Sequence, residues 1–313
     1  MSEHLHGLLL VDKPAGPTSH DVVQAARRAL KERRIGHTGT LDPAATGLLV
    51  LCVGRATRLQ QFLLAWPKTY IGEIRLGFAT TTYDCEGEPL AEAQPIPPLT
   101  DELVERVRTM FSGEIEQLPP PYSAKKVGGR KFYELARAGE EIPREAKKVT
   151  LLHFGLVAEG VDRLRFEITC SSGTYVRSLA HDVGTTLGCG GHLASLRRVR
   201  IGPWGVERAV AAELLATRPK EMPPAAFVPL TAAELPFPEV TLNPTALDHF
   251  AHGQEVAVRE VDGDFAPGAQ VLVRDRGGDV AGIAQVLVYM PRARTVHLRP
   301  KMVLAEVEAA ARP

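Results

Sequence analysis

Apolar positions along the first two hundred residues fall into runs of strand length. The runs at 7–12 and 47–54 are continuous and have no polar face, so they predict strands that are buried on both sides. The stretch 68–77 alternates apolar and polar residues, which predicts a strand with one face against the core. Shorter patterns at 164–170 and 192–202 predict further strands.

Helical spacing occurs between these strands. Polar caps followed by amphipathic spacing predict helices over 20–34 and over 100–111, the second capped by Thr100. The stretch 55–64 also has a helical pattern, and another helix is expected to begin near Thr174, after a Ser-Ser-Gly turn. Strands and helices mix without a regular strand–helix–strand alternation. The sequence therefore predicts an α+β fold, in which helices flank a mixed, mostly antiparallel sheet.

The composition of the chain changes at about residue 217. A proline-rich stretch, 217–244, is typical of a connector held against a surface. Short alternating runs separated by turn signals follow it, which predicts a small β-barrel-like domain. The predicted division is a larger domain over 1–237, with an insertion at about 119–150, and a small domain over 238–313.

Composition and motif content restrict the class of protein. Of the 313 residues, 44% are hydrophobic and 24% charged, as in a globular protein with a substantial core. No apolar run approaches the roughly 18 residues that cross a bilayer, and the first residues do not resemble a signal peptide, so a cytoplasmic location is expected. The four cysteines are far apart, and no His-Glu-x-x-His motif occurs. Mostly buried thiols and no metal site are predicted.

Charge is distributed unevenly, although the formal net charge is zero. Residues 122–150 carry eight Lys or Arg against four Glu, and short basic clusters lie at 31–34 and 197–200. Any one of these clusters could be ordinary solvated surface. Three of them on a neutral chain fit an anionic polymer that binds at one place on the protein.

Asp42 is the only carboxylate of the stretch GHTGTLDPAATG, residues 36–47. The following proline favours an extended conformation at Asp42, and the flanking glycines allow a sharp turn or the close approach of a ligand. An aspartate here can be a turn residue, but catalytic groups are also held on loops beside a buried strand. A single catalytic carboxylate needs a cation to keep it ionised and oriented. Arg177 is the best candidate for this cation, and Tyr175 could add an aromatic wall. The alternative is that Arg177 is an ordinary surface residue of a helix and Tyr175 an ordinary core residue.

Motifs for several other chemistries are missing from the sequence. It has no Gly-x-Ser-x-Gly elbow and no phosphate-binding Gly-x-x-x-x-Gly-Lys-Ser/Thr loop, and GCGGHL departs from a dinucleotide loop at Leu193. A glycosidase needs two carboxylates about 5–10 Å apart, and the region of Asp42 offers one. The residues alone predict a cofactor-free enzyme with one carboxylate, supported by an arginine, that acts on an anionic polymer. Spacing does not identify the reaction.

Six sequence blocks occur in order along the chain: GLLLVDKPAGPTSHDVV, GHTGTLDPAATGLLVLCVGRATRL, KTYIGEIRLG, PPPYSAKKVGGRKFYELARAGEEIPRE, CSSGTYVRSLAHDVG and GHLASLRRVRIG. They resemble the TruB family of tRNA pseudouridine synthases over about residues 7–205. The C-terminal stretch resembles a PUA domain, a small RNA-binding β-barrel. The resemblance implies an isomerase that cleaves the C1′–N1 bond of a uridine in the T-loop of tRNA (the position 55 type), rotates the uracil and rejoins it through C5.

The resemblance also implies roles for individual residues, and it implies no cofactor or metal. Asp42 would act at the ribose, either by attacking C1′ or by taking the C2′ proton, with Arg177 paired to it. Tyr70 would stack on the uracil and act in proton transfer at C5. Lys13 and Pro14 match a motif with a mainly structural role. The implied substrate-binding residues are Tyr175 and Leu196 in the pocket wall, His37 in the gap left by the flipped nucleotide, and Lys125, Lys126 and Arg130 in the basic segment.

The expected partner is the T-stem-loop of tRNA, bound by a monomer without a guide RNA, a protein partner or a membrane. Two alternatives remain open. The chain could be an RNA-binding chaperone that folds tRNA, with catalysis secondary. It could also be the catalytic subunit of a guide-RNA-dependent complex, although the long basic insertion argues against this.

Overall fold

The computed structural model of the protein describes residues 5–122, 144–261 and 263–305, together with the backbone of 126–127 and 130–131. Its strands form an 11-stranded sheet, a 5-stranded sheet nearer the C-terminus, and a 2-stranded hairpin. Among the described residues, no helix is both long enough and apolar enough to cross a membrane.

The elements are numbered here in chain order. The helices are α1 (Ser19–Leu30), α2 (Gln60–Leu64), α3 (Asp101–Met110), α4 (Val176–Thr186), α5 (Ala212–Thr217) and α6 (Pro244–Ala251). The strands are β1 (Gly7–Lys13), β2 (Ile35–His37), β3 (Thr46–Val53), β4 (Lys68–Leu76), β5 (Gly113–Gln117), β6 (Lys126–Val127), β7 (Arg130–Lys131), β8 (Lys147–Glu159), β9 (Arg163–Cys170), β10 (Gly191–Ile201), β11 (Trp204–Gly205), β12 (Val210–Ala211), β13 (Phe227–Pro229), β14 (Glu239–Thr241), β15 (Val256–Arg259), β16 (Gln270–Arg274), β17 (Val280–Met290) and β18 (Thr295–Val303).

The larger sheet has the strand order β12-β1-β3-β10-β4-β9-β8-β5, with β2, β11 and β13 paired to β3, β10 and β1. Among the described strands only β1–β12 and β3–β10 of this sheet run parallel. The predicted α+β class with a mixed, mostly antiparallel sheet is therefore confirmed. The β3–β10 pairing covers just Thr46 with Arg197 and Gly47 with Arg198. This short junction, called the seam below, joins the two halves of the sheet.

Helices cover one face of each half of the sheet. In β4 the buried residues Tyr70, Ile74 and Leu76 alternate with more exposed ones, as the sequence pattern predicted, and they share a core with α3 and α4. On the other side of the seam, α1 and α5 pack on β1 and β3. Each buried aliphatic side chain contributes about 1.5–3 kcal/mol. These two packed layers hold both the loop before β3 and the start of α4.

Helix boundaries differ from the predicted ones for local reasons. The first helix ends at Leu30 rather than near residue 34, because Lys31 adopts a left-handed conformation with φ of 52°. The stretch 55–64 is a single α-helix only in its second half, since Gly54–Leu59 forms a 3-10 helix ahead of α2. The start of α4 is Val176, shortly after the expected Thr174.

The smaller sheet has the order β14-β16-β17-β18-β15. The short strands predicted for this region are present, but within the described residues the edge strands β14 and β15 do not pair, so the sheet is open. It is packed against the larger sheet: Val280 and Ile283 belong to the same buried cluster as Leu8 and Leu10 of β1. We call this cluster the shared core.

Candidate active site

The loop that carries Asp42, residues 38–45, joins β2 to β3. Hydrogen bonds fix its backbone at the residue next to Asp42. The buried Ser19 of α1 exchanges two hydrogen bonds with Leu41. Its Oγ donates to Leu41 O at 3.0 Å and accepts from Leu41 N at 2.8 Å. The backbone immediately before Asp42 is thereby tied to a helix that is packed into the core.

Arg177 contacts Asp42, and the ion pair expected from the sequence is present. Arg177 is the second residue of α4, and its Nε lies 3.1 Å from Asp42 Oδ2. The Arg177 side chain is 11% exposed and that of Asp42 44%. The arginine is therefore a nearly buried donor, whereas the carboxylate stays accessible. A guanidinium in this position balances the charge of the carboxylate and fixes its direction.

A second carboxylate, Asp84, also contacts Arg177, and the sequence did not predict it. Arg177 Nη1 lies 3.4 Å from Asp84 Oδ2 and donates to Thr82 O at 3.2 Å. Asp84 Oδ1 accepts from Glu86 N at 3.0 Å, which is the usual contact of a turn aspartate. In the sequence, Asp84 therefore has the features of an ordinary turn residue. The interpretation of Asp42 as the only carboxylate of its region is wrong in three dimensions.

Buried cations bind the carbonyl oxygens of the Asp42 loop. Lys13 Nζ donates to Pro43 O at 3.0 Å and to Pro14 O at 2.8 Å, consistent with the structural role expected for Lys13 and Pro14. Burial lowers the pKa of Lys13, and the Asp42 carboxylate opposes that shift. Arg198 lies on the other side of the same loop and is 1% exposed.

The basic cluster at 197–200 is not the surface patch that the sequence predicted. Arg198 is buried, and Arg197 is partly buried in a forked ion pair with Asp12, at 3.0 and 2.7 Å. Only Arg200 of the three arginines is exposed. The guanidinium of a buried arginine can donate hydrogen bonds to carbonyl oxygens, just as an exposed one can to phosphates. The composition of a sequence cluster does not distinguish these two uses. At 31–34, in contrast, the basic side chains are exposed.

Tyr70 is 8% exposed and packs in the buried cluster that includes Leu41 and Ala45 of the Asp42 loop. The Cζ atom of Arg198 lies 6.0 Å from the centre of its ring. Burial raises the pKa of the Tyr70 phenol, and the nearby Arg198 charge opposes the rise. The phenol is therefore protonated at neutral pH. Tyr70 lies close behind the site rather than in its open wall.

Tyr175 is the N-cap residue of α4, and its backbone is held by the buried Gln117 at the end of β5. Tyr175 N donates to Gln117 Oε1 at 2.7 Å, and Gln117 Nε2 donates to Tyr175 O at 2.9 Å. The side-chain amide of Gln117 thus makes the two backbone hydrogen bonds that a neighbouring β-strand would otherwise make. It does so at Tyr175, two residues before Arg177 in the chain. Nothing in the local sequence marks Gln117 for this task.

The other predicted binding residues are placed as follows. His37 ends β2, is half-buried, and its Nδ1 accepts from Gly39 N at 3.3 Å. Burial, followed by the Arg198 charge, lowers the pKa of His37. Leu196 lines the cleft described below. Lys126 and Arg130 belong to the paired strands β6 and β7, and Lys125 lies outside the described residues.

A cleft of about 670 Å³ opens beside the seam. Asp42, Asp84 and Arg177 line it together with Leu196 and Cys85. Side chains of the neighbouring strands extend its wall: Ile71, Glu73, Arg165, Glu167 and Arg197. The volume is within the range of about 300–1,000 Å³ that is usual for small-molecule sites. The cleft therefore has room for one nucleotide unit, with a single accessible aspartate held by an arginine.

Neither a metal cluster nor a disulfide is seen in the described part of the chain. Within it, no three His, Cys, Asp or Glu side chains are grouped so that they could hold a metal ion. The four cysteines are free thiols, of which Cys52, Cys170 and Cys189 are buried and Cys85 is exposed.

Known proteins share both the sequence and the fold of this chain. Residues 27–176 match the family described as TruB family pseudouridylate synthase (N terminal domain), and 177–221 match the tRNA pseudouridylate synthase B C-terminal domain. The tRNA pseudouridine synthase B of Cupriavidus metallidurans is 43% identical over 259 residues, which cover 82% of each chain. The protein of the same name from Azoarcus sp. is 45% identical over 250 residues, covering 80% of this chain and 83% of that one.

A chain in the crystal structure of a Cbf5-Nop10-Gar1 complex has the same fold, with a TM-score of 0.73 over 97% of this chain and 86% of that chain. Its sequence identity is 24%, so the comparison concerns the fold alone. The closer sequence matches confirm the resemblance carried by the six blocks: the chain belongs to the TruB family of pseudouridylate synthases.

Proposed function

We propose that this protein isomerises a uridine of the T-loop of tRNA, the position 55 type, to pseudouridine after flipping the nucleotide into the cleft. The observation that carries the proposal is the accessible Asp42 carboxylate, held through one oxygen by Arg177 at the cleft wall. Membership of the family supplies the reaction, and relatives named tRNA pseudouridine synthase B supply the substrate class.

The reaction breaks the C1′–N1 bond and forms a C1′–C5 bond, so it consumes no water and changes no oxidation state. Asp42 acts at the ribose in this proposal, by attack on C1′ or by removal of the C2′ proton. Arg177 holds Oδ2, and among the described residues Oδ1 accepts no hydrogen bond. Oδ1 can therefore approach the sugar, while the contact of Oδ2 with Arg177 fixes the orientation of the carboxylate.

In this proposal Tyr70 stacks on the uracil, and its phenol oxygen takes the C5 proton while it passes its own proton on. N1, which loses its bond to C1′, gains one proton, so the base keeps its number of hydrogens. The phenol of Tyr70 is protonated at neutral pH because burial raises its pKa.

Tyr70 is nearly covered and packs in a buried cluster with Leu41 and Ala45 of the Asp42 loop, against which Leu196 also packs. Stacking on the uracil therefore requires side chains of this cluster to move when RNA enters. Leu196 forms part of the pocket wall, and Tyr175, which is half-buried and does not line the cleft without RNA, joins the wall when the nucleotide binds. His37 fills the gap left by the flipped nucleotide.

The RNA lies along the cleft and the basic 122–150 segment, where lysines and arginines neutralise phosphates. Lys125, Lys126 and Arg130 belong to that segment. We further propose that residues 1–237 form the catalytic domain and that 238–313 form a PUA-like domain. We also propose that the protein acts in the cytoplasm as a monomer, and that its substrate is tRNA without a guide RNA. The names of its relatives at 43–45% identity, tRNA pseudouridine synthase B, support the choice of tRNA.

The test uses the purified protein and a T-stem-loop RNA, with no cofactor and no guide. Conversion of the target uridine is measured by chemical detection of pseudouridine, and RNA affinity is measured separately. We expect conversion by the wild type, its loss in Asp42→Asn, and nearly unchanged affinity in that variant. No conversion by the wild type, or an undiminished rate in Asp42→Asn, would refute the proposal. Refolding of misfolded tRNA by Asp42→Asn as well as by the wild type would support the chaperone alternative beside it.

A further inference from the structure

Arg198 joins the two sides of the Asp42 loop through three backbone oxygens. Its Nη2 donates to Gly39 O at 3.0 Å and its Nη1 to Thr40 O at 3.3 Å, both before Asp42 in the chain. Its Nε donates to Leu48 O at 2.7 Å, in the strand that follows the loop. The guanidinium therefore fixes the start of the loop relative to the strand into which the loop leads.

The charge of Arg198 is buried, and its hydrogen-bond partners within the described residues are neutral carbonyl groups. It is 1% exposed, and among the described residues no Asp or Glu oxygen lies within 4.0 Å of it. A buried cation lowers stability unless its partners compensate for the lost hydration. Here the partners are backbone carbonyls of the loop and of β3, and any apolar replacement would remove the donors that they have in Arg198. Arg200, on the same strand, is exposed and donates to Pro203 O at 3.2 Å.

The same arginine also lies beside Tyr70. Arg198 of β10 is directly opposite Tyr70 of β4 in the register, and its Cζ is 6.0 Å from the ring centre. Its backbone forms the seam with Gly47: a side-chain carbon added at Gly47 would lie 2.2 Å from Arg198 O. The guanidinium is thus anchored where β3, β4 and β10 meet, beside Tyr70 and against the start of the loop that carries Asp42.

We propose that Arg198 is a positioning residue for the reaction, which holds the Asp42 loop in fixed geometry relative to Tyr70. This rests on the proposed function. This positioning role differs from a purely structural one because it requires the shape of the arginine side chain and not only its charge. A rigid fork that contacts three carbonyls can set the position of the loop, whereas a lysine of the same charge reaches fewer of them at once.

The experiment compares Arg198→Lys, Arg198→Met and the control Arg200→Lys with the wild type. Single-turnover conversion of a T-stem-loop RNA is measured at saturating enzyme over a range of pH, together with RNA affinity and the folded fraction. We expect Arg198→Lys to fold and to bind RNA within about threefold of wild type, but to react about 100-fold more slowly, the usual cost of a misplacement of about 1 Å. Arg200→Lys should match the wild type.

Hydrogen exchange of the amides of 38–45, measured without RNA, gives a readout that does not need catalysis. We expect faster exchange there in Arg198→Lys and no change in Arg200→Lys. A folded Arg198→Lys with wild-type turnover and wild-type loop exchange would overturn the proposal, as would a rate loss wholly explained by a smaller folded fraction. If Arg198→Met does not fold, Arg198→Lys decides alone. If the wild type fails to isomerise the RNA, the proposed function falls, while the exchange experiment still decides whether Arg198 orders the loop.

Discussion

Arg177 Nη1 lies 3.4 Å from Asp84 Oδ2, so the arginine that directs Asp42 is itself held by a second, nearly buried carboxylate. The two acids differ in access: the side chain of Asp84 is 11% exposed and that of Asp42 44%. Asp84 is thus placed to hold the arginine, whereas Asp42 stays open to the cleft.

Replacing Asp84 by Asn removes the charge that holds the far side of Arg177. We expect the single-turnover rate to fall roughly 10- to 100-fold, because a guanidinium free to rotate no longer fixes the Asp42 carboxylate. RNA affinity should change little. The control is Asp162→Asn, which breaks a surface pair with Arg75 at 3.7 Å. A wild-type rate in Asp84→Asn would show that Asp42 alone orients Arg177.

Replacing Gln117 by Glu keeps the acceptor for Tyr175 N but removes the donor to Tyr175 O. We expect a loss of about 1–3 kcal/mol in the free energy of unfolding, measured with urea, since the Tyr175 carbonyl keeps its hydrogen bond from Leu179 N at 3.1 Å but loses the one from Gln117 and then faces a carboxylate oxygen. Catalysis should also slow, as Tyr175 precedes Arg177 by two residues. Gln94→Glu, at an exposed position, is the matched control and should leave both quantities unchanged.

Cys85 is the exposed cysteine of the cleft wall, whereas Cys52, Cys170 and Cys189 are buried. A bulky thiol reagent should modify Cys85 first and block turnover, and bound RNA should slow the modification. Burial and then the Asp84 charge raise the pKa of the Cys85 thiol, so labelling should accelerate as the pH rises. Mass spectrometry of the native protein checks the site. Modification of a different cysteine first, or full activity after complete labelling of Cys85, would contradict this expectation.

Lys68 is buried, and its Nζ donates to Leu64 O at 3.0 Å and Trp66 O at 2.8 Å. Burial lowers the pKa of Lys68 from 10.5 to about 8. Between these pH values the unfolded chain binds the proton that the folded protein has released, so stability rises with pH. Relative to Lys68→Met, the wild type should gain up to about 3 kcal/mol in the free energy of unfolding over this window. Lys148→Met, at an exposed lysine, should show no such pH-dependent difference.

The strands, and Asp42 and Arg177 as candidate residues, could be predicted from the sequence because their signals are local. Alternation in β4 and the continuous apolar run of β3 reflect which faces are buried. The arginine is expected from the chemistry of a single carboxylate, and its place at the start of a helix follows from the strand and turn before it. The contact itself, across 135 positions of the chain, is seen in the structure.

Asp84, Gln117 and Arg198 could not be predicted, because their partners are distant in the chain and their local signals suggest other uses. Asp84 makes an ordinary turn contact as well as the contact with Arg177. Arg198 belongs to a basic cluster that suggested a surface, and its burial depends on backbone carbonyls of the Asp42 loop and of β3, which lie 150 to 159 residues away in the chain. Side-chain contacts between elements depend on packing, and one sequence does not contain that information directly.

The shared core has a consequence for how this protein can evolve. Val280 and Ile283 are buried together with Leu8 and Leu10, and Arg55 pairs with Asp279 at 2.9 Å across the same boundary. A recombination event that exchanged the C-terminal sheet for that of a distant relative would bring together surfaces with unmatched shapes and charges. Substitutions on the two sides must instead compensate each other, as they do across a permanent subunit interface. The two sheets are therefore expected to be inherited as one co-adapted unit, and positions 55 and 279 to change together.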